Sequence, residues 1–406
     1  MTVRIDDQPW LTAPATRAVM AALEAAGGAG CARFVGGCVR NALIGAPVAD
    51  VDIATTLKPE ETERAIRAAG LKAVPTGMAH GTVTAVSERQ PFEITTLRRD
   101  VSTDGRNATV AFTDDWAEDA ARRDFRLNAL YADREGRVFD PTGEGLADAA
   151  AGRIVFVGAP ETRIREDYLR ILRFFRFFAW YGRGEPDAAA VEACRAEAHG
   201  MSRLSAERVS KELMTLLSAP DPRRAMTAMA GAGVLEQFLP EGQTGALFEA
   251  AVELSPDPVI RLMTLFPVDE RLVRDAATRL RLANTIRDRL AAAAAAYPAG
   301  DLTMSDPEVR AAIYRHGGQA VTDALFRRWA EAPDRADDAR RLLALAAGWR
   351  PPRMPVGGRE LAQSGVEPGP ETGRLLRAFE DSWIADDFPP DGHAERLAAL
   401  VNPPRG

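Results

Sequence analysis

The stretch Phe34 to Ala54 constrains this chain more than any other. It runs Phe-Val-Gly-Gly-Cys-Val-Arg-Asn-Ala-Leu-Ile-Gly, then a short spacer, then Asp50-Val-Asp52-Ile-Ala. Phe34 and Val35 read as the end of a buried strand. Gly36 and Gly37 lack Cβ atoms, so they permit a tight turn and a close approach of backbone to a ligand. Cys38 to Ile44 carries a short helical pattern, and Gly45 ends it. A glycine turn that opens a helix offers free N–H groups and a positive dipole end to a phosphate. Arg40, on the first turn, adds a cationic fork. Asp50 and Asp52 stand two apart in an alternating pattern, which predicts a strand with both carboxylates on one face. Two such carboxylates repel unless a cation lies between them. Hard oxygen ligands at this spacing suit Mg²⁺ bridging substrate phosphates.

Taken singly, the two halves have plainer readings: an ordinary turn and a solvated strand end. Their order and closeness favour a phosphate turn, an arginine and then a metal pair. A dinucleotide-binding fold fits poorly, because it expects Gly-x-Gly-x-x-Gly and one ribose acid.

Further along, a helix is predicted over roughly Thr12 to Ala26 and another from Pro59 to about Ala69. Strands are predicted over the last part of Val74–Val86 and over Pro91–Arg98. His80 reads as a hydrogen-bonded loop residue. Glu93 lies opposite Phe92 and Ile94, so a strand beside the Asp50 strand would supply a third carboxylate; the alternative is an edge acid facing water. Arg99 to Trp116 is polar and contains glycine, and it reads as a mobile loop. In Arg122-Arg123-Asp124-Phe-Arg-Leu-Asn128, Asp124 and Asn128 fall on one helical face, and the cluster suits a triphosphate and a ribose hydroxyl. The alternative is a solvated, ion-paired helix.

Arg165 to Trp180 is predicted as one helix. Asp167, Arg170, Arg173 and Arg176 form a drifting polar stripe hemmed in by aromatic core. Charges in such surroundings are costly unless paired or in contact with a ligand. A carboxylate and an arginine one turn apart can address one base edge: Arg170 donates to ring acceptors, and Asp167 accepts from an exocyclic amine. The plainer reading is an internal ion-pair network. The net charge of −7 does not exclude an RNA partner, because Glu161–Arg183 holds six arginines against three acids and nucleic-acid binding needs only a local basic face.

Gly36-Gly37-Cys-Val-Arg40 with Asp50-x-Asp52 resembles the nucleotidyltransferase signature of class II CCA-adding enzymes and bacterial poly(A) polymerases. Glu93-Ile-Thr-Thr-Leu-Arg, Arg122-Arg123-Asp124-Phe-x-x-Asn128-Ala and Glu166-Asp167-x-x-Arg170 resemble further motifs of that family. Asn41 departs from it, since an Asp commonly stands there. The resemblance implies a polymerase-β-like α+β head, a mixed sheet with helices, followed by an all-α neck, body and tail. The expected divisions are 1–150, 151–220 and 221–406.

The activity implied is template-independent addition of CCA to the 3′ end of tRNA from CTP and ATP. The alternatives are a poly(A) polymerase, an A-only adding enzyme, or an RNA-binding protein with a dead head. Asp50 and Asp52 would hold two Mg²⁺ ions, with Glu93 as the third catalytic acid. Gly36, Gly37, Arg40, Arg122 and Arg123 would hold the triphosphate, Asp124 the ribose, with Asn128 positioning. Asp167 and Arg170, backed by Arg173 and Arg176, would choose the base, and Arg208 and Glu212 would brace that helix. Asp100–Asn107 would be a flexible loop serving the move from CTP to ATP. The helical C-terminal half would meet tRNA phosphates, with Arg310, Arg315, Arg327 and Arg328 as candidate contacts; the plainer reading of most of them is a solvated side chain.

The partners expected are thus tRNA, ATP and CTP, with no membrane and no protein partner implied. Cys31, Cys38 and Cys194 lack paired or metal spacing, which suits a reducing cytoplasm. No apolar run is long enough to span a membrane.

Overall fold

Gly36 adopts φ 72° and ψ −121°, a backbone region that residues with a Cβ avoid. It turns the chain out of strand β1 (Ala32–Val35) and into helix α3 (Gly37–Ile44). Gly45, left-handed at φ 70°, closes that helix. Gly36→Ala is expected to destabilise the fold by about 1–3 kcal/mol. The cause is backbone strain rather than a clash, because nothing stands closer than 3.8 Å to the added Cβ. Urea unfolding measures it.

The computed structural model describes residues 3–5, 7–104 and 107–402, with backbone alone for 100–104 and 107–110. Contacts divide the chain into two units, Met1–Pro240 and Glu241–Gly406.

The first unit is built on a seven-stranded mixed sheet. Its strands are β1, β2 (Asp52–Thr55), β3 (Lys72–Gly77), β4 (Thr82–Ser87), β5 (Gln90–Thr96), β8 (Tyr131–Ala132) and β9 (Val138–Phe139), in the order β3-β4-β5-β2-β1-β8-β9. β2 runs antiparallel to β1 and parallel to β5. Ile53, Val83, Phe92 and Ile94 are fully buried along it, as the alternating pattern requires. Helices α1 (Pro9–Thr12), α2 (Pro14–Gly27) and α4 (Pro59–Ala68) accompany the sheet. α2 packs on α4 and β1, and its Val19 and Leu23 are fully buried. α4 begins with Pro59, and the Glu61 carboxylate accepts from Lys58 N at 2.9 Å.

The segment read as a loop is instead a hairpin. β6 (Arg98–Asp104) pairs with β7 (Asn107–Phe112), from Arg98↔Phe112 to Asp104↔Asn107. Its polar composition concealed two strands that pair with each other. Residues 105 and 106 of that segment lie outside the described residues.

Asp124 and Asn128 do not share a helix. α5 (Trp116–Ala121) ends before Asp124, and a 3₁₀ turn spans Arg126–Asn128. Phe125 is extended and bridges to Phe156, which breaks the helical run. Beyond β9 the unit is helical: α6 (Gly145–Ala151), α7 (Pro160–Glu166), α8 (Leu169–Tyr181), α9 (Ala188–Glu197), α10 (Ala206–Leu217) and α11 (Arg223–Gly231).

The second unit is helical throughout its described residues. Of the four arginines singled out there, Arg310 pairs with Asp387 at 2.6 Å and Arg327 is 8% exposed, paired with Glu331. Arg328 lies over the Tyr297 ring at 3.6 Å, and Arg315 reaches Asp381 at 3.4 Å. Among the described residues, no helix is long and apolar enough to cross a membrane.

Candidate active site

A cleft of about 430 Å³ opens in the first unit where β1, β2 and β5 meet the turn before α3 and the face of α8. Eleven of the fourteen predicted site residues line it: Gly36, Gly37, Arg40, Asp52, Glu93, Arg122, Arg123, Asp124, Asn128, Arg173 and Arg176. Asp50, Asp167 and Arg170 do not.

Asp52 is the first residue of β2, and Glu93 is its register partner on parallel β5. Register partners point to the same face, so the two carboxylates stand side by side. Burial, then Glu93, then Asp50 push the Asp52 carboxyl up to about 6, against the pull of Arg123. Asp50 was expected on the same strand. It lies before β2 and is exposed. The pairing of β1 with β2 stops at Phe34↔Ile53, because the chain turns away at Gly36, so Asp50 has no strand neighbour.

Among the described residues, no group of three or more His, Cys, Asp or Glu is arranged to hold a metal ion. The donor chemistry still fits a divalent cation. Three carboxylates within electrostatic reach of one another raise the proton affinity of the most buried one, and a hard cation relieves that repulsion.

The arginines are held by a residue the sequence reading gave no role. Asp119, 1% exposed, accepts from Arg122 Nη2 at 2.7 Å, Arg123 Nη2 at 2.9 Å and Tyr131 Oη at 2.7 Å. Burial alone would raise its carboxyl, but Arg123 and Arg122 beside it hold it down to about 2. Its signal was present in the sequence: Asp119, Arg122 and Arg123 are spaced i, i+3, i+4. Arg98 is a second missed residue. It lines the cleft, and its backbone N–H donates to Asp119 Oδ1 at 3.2 Å. It closes the run that begins at Glu93.

Arg40 is 6% exposed and donates to Asn128 Oδ1 at 2.6 Å, to Tyr181 Oη at 2.9 Å and twice to Asn41 Oδ1. Asn41 therefore still receives the guanidinium, through a neutral acceptor. Its own amide donates to Pro47 O at 2.6 Å. Asp124 accepts from Asn128 Nδ2 at 3.1 Å and from Arg173 Nε at 2.9 Å. Burial would raise the Asp124 carboxyl; Arg173 prevails and holds it to about 2. Phe177, also missed, lies beneath the guanidiniums of Arg40, Arg173 and Arg176 at 5.2, 5.4 and 4.5 Å.

The single helix expected over Arg165–Trp180 is two. α7 ends at Glu166, Asp167 is extended at φ −153°, and α8 starts at Leu169. Asp167 Oδ1 accepts from Leu169 N at 3.1 Å, as an aspartate at a helix start does. Its Oδ2 accepts from Arg208 Nη2 at 2.6 Å. Arg170 pairs with Glu166 and donates to Arg163 O at 2.9 Å and Arg122 O at 3.2 Å. Arg208 and Glu212 do reach this region, as expected, through Asp167 and Arg176.

Residues 32–155 match the family model described as Poly A polymerase head domain, and residues 185–244 one described as probable RNA and SrmB-binding site of polymerase A. The mitochondrial CCA tRNA nucleotidyltransferase 1 of Mus musculus is 33% identical over 369 residues, 86% of this chain and 82% of that protein. The Homo sapiens protein of that name is 33% identical over 371 residues, with the same coverage. A CCA-adding enzyme of Streptococcus pyogenes is 42% identical over 200 residues, 49% of this chain and 48% of that one. Among solved structures, the CCA-adding enzyme of Bacillus stearothermophilus in complex with CTP superposes with a TM-score of 0.75 at 25% identity. That match covers 96% of this chain and 98% of the other. A Thermotoga maritima CCA-adding enzyme complexed with tRNA shares the fold, with a TM-score of 0.65 at 18% identity over 91% of this chain and 90% of that one. With identity above 30% across most of both chains, the protein belongs to the CCA tRNA nucleotidyltransferase family.

Proposed function

We propose that this chain adds C, C and A to the 3′ end of tRNA from CTP and ATP without a nucleic-acid template, releasing pyrophosphate. The observation that carries the reading is the cleft itself, where paired carboxylates face clustered arginines in a chain related over most of its length to enzymes of that name. The carboxylates lie on the sheet, and the arginines lie where a triphosphate needs neutralising.

In this reading Asp50 and Asp52 hold the metal, as two Mg²⁺ ions, and Glu93 is the third acid. A divalent cation held by these residues would supply Lewis-acid chemistry, lowering the pKa of a bound hydroxyl and neutralising charge on the leaving phosphate. The backbone at Gly36 and Gly37 admits the triphosphate closely, and Arg40, Arg122 and Arg123 neutralise it. Asp124 accepts from the ribose hydroxyl, and Asn128 keeps Asp124 and Arg40 aligned. Residues 1–150 serve as head, 151–220 as neck and 221–406 as body and tail, the last meeting tRNA. The three cysteines, all free and buried, support a reducing compartment, cytoplasmic in this reading.

Base choice falls to Asp167 and Arg170, backed by Arg173 and Arg176. Asp167 is already oriented by Arg208 and Leu169 N, and a carboxylate has lone pairs left for a base amine. Asp167→Ala is expected to lower kcat/KM for CTP and ATP by about a hundredfold, since an amine that loses its acceptor costs a few kcal/mol. The same change is expected to narrow the preference over UTP and GTP. Single-turnover incorporation with each of the four triphosphates checks it.

The reading as a whole is tested by offering labelled nucleotides singly to tRNA transcripts ending before CC, after C and after CC, beside an unrelated RNA. C on the first two and A on the third, only on tRNA, is the expected result. A long A tail on any RNA would make the chain a poly(A) polymerase. A alone on the third would make it an A-adding specialist.

A further inference from the structure

Trp180 is one of three large apolar residues left exposed among the described residues, and its position on α8 is not arbitrary. At about 100° per residue, Arg176 and Phe177 lie about −60° and +40° around the helix from Arg173, and Trp180 lies at about −20°. Trp180 therefore continues the face formed by Arg173, Arg176 and Phe177, all of which line the cleft. It stands one turn farther along.

The indole is held in place. Its Nε1 donates to Thr215 O on α10 at 2.8 Å, so the polar atom is satisfied by protein while the side chain stays 39% exposed. α10 also supplies Glu212, which pairs with Arg176. One helix thus anchors both a cleft arginine and the aromatic beyond it. Arg183 and Lys211, near Trp180 and Thr215 in sequence, are exposed cations. A pre-oriented, half-exposed ring in line with a nucleotide-sized cleft is the arrangement that grips single-stranded nucleic acid by stacking.

We propose that Trp180 is a stacking platform for an unpaired 3′-terminal nucleobase of the RNA substrate. The proposal rests on the reading that an RNA 3′ end enters this cleft. It adds a substrate-positioning residue that makes no contact with the reacting atoms.

The test is fluorescence anisotropy of the full chain with a 5′-labelled acceptor-stem minihelix bearing an unpaired 3′ end, compared with the same RNA carrying an abasic 3′ nucleotide. Trp180→Ala and Trp180→Leu are expected to weaken binding about tenfold, and Trp180→Phe to stay within about threefold of the wild type. Removing the base is expected to weaken the wild type by a similar factor and the Ala variant not at all. Equal binding by wild type and Trp180→Ala, or losses from the variant and the abasic RNA that add, would overturn the proposal. Nucleotide incorporation into the same minihelix is followed in parallel. If the wild type incorporates and Trp180→Ala binds normally, stacking fails and the proposed function stands. If the wild type binds but never incorporates, the function fails while the stacking result is read on its own.

Discussion

Asp52→Asn is expected to cut nucleotide incorporation by three orders of magnitude or more. Neutralising one member of a carboxylate pair removes several kcal/mol of transition-state stabilisation, and each 1.36 kcal/mol is a factor of about ten. The same change is expected to stabilise the cation-free protein. Burial and the neighbouring Glu93 and Asp50 raise the Asp52 carboxyl to about 6 in the fold, above the roughly 3.9 of an unfolded chain. A raised carboxyl favours the fold when protonated. That contribution is complete below about pH 4 and is lost as pH rises through about 6. At pH 8 the ionised wild type carries the cost and Asn does not, so the variant is expected to be more stable by about 1–2 kcal/mol, with solvent screening allowed for. At pH 4 the two converge. Adding Mg²⁺ at pH 8 is expected to raise the melting temperature of the wild type and leave Asp52→Asn unchanged. Thermal melts at both pH values, with and without the ion, check all of this. Equal response of the two proteins to Mg²⁺ would remove Asp52 from the metal site.

Asp119→Ala is the change expected to damage the fold most. It leaves Arg122 and Arg123 adjacent and unneutralised and deprives the buried Tyr131 hydroxyl of its acceptor. Losing one partner of a buried ion pair costs about 3–5 kcal/mol, which in a unit of this size lowers the melting temperature by roughly 10 °C. The pH dependence has the opposite sign to that of Asp52. The fold depresses the Asp119 carboxyl to about 2, so its stabilisation is present above about pH 4 and is lost as pH falls towards 2. The gap between wild type and variant should therefore be flat from pH 5 to 8 and close in acid. Urea titrations across that range measure it. A gap below about 1 kcal/mol at pH 7 would mean that Asp119 is not what organises the arginines.

These two residues also mark what could be read from sequence. Gly36, Gly37 and Gly45 announced strand, turn and helix because a glycine's backbone freedom is a local property. The strand carrying Asp52 was legible from a short apolar alternation, although the same alternation also put Asp50 on that strand, which begins only at Asp52. Asp119 passed unremarked because its role depends on Tyr131 and on the backbone of Arg98, which folding alone brings near. The β6–β7 hairpin reads as a loop because its composition is polar, whereas backbone pairing makes it two strands. The break at Asp167 was missed for a different reason. The apolar pattern runs through it without a glycine or proline, and the signal was an aspartate able to cap the helix that begins at Leu169. Phe177 drew no reading from the sequence, because the guanidinium of Arg40 above its ring comes from a distant part of the chain.

The most direct measurement is 3′-end sequencing of tRNA lacking its last three nucleotides, after incubation with the protein, Mg²⁺ and all four triphosphates together. With every base on offer and no template strand, the expected product is CCA at each end, followed by arrest. Mixed additions or continued growth past A would contradict untemplated CCA addition, and the same product from Asp167→Ala and the wild type at equal rates would contradict base selection by Asp167.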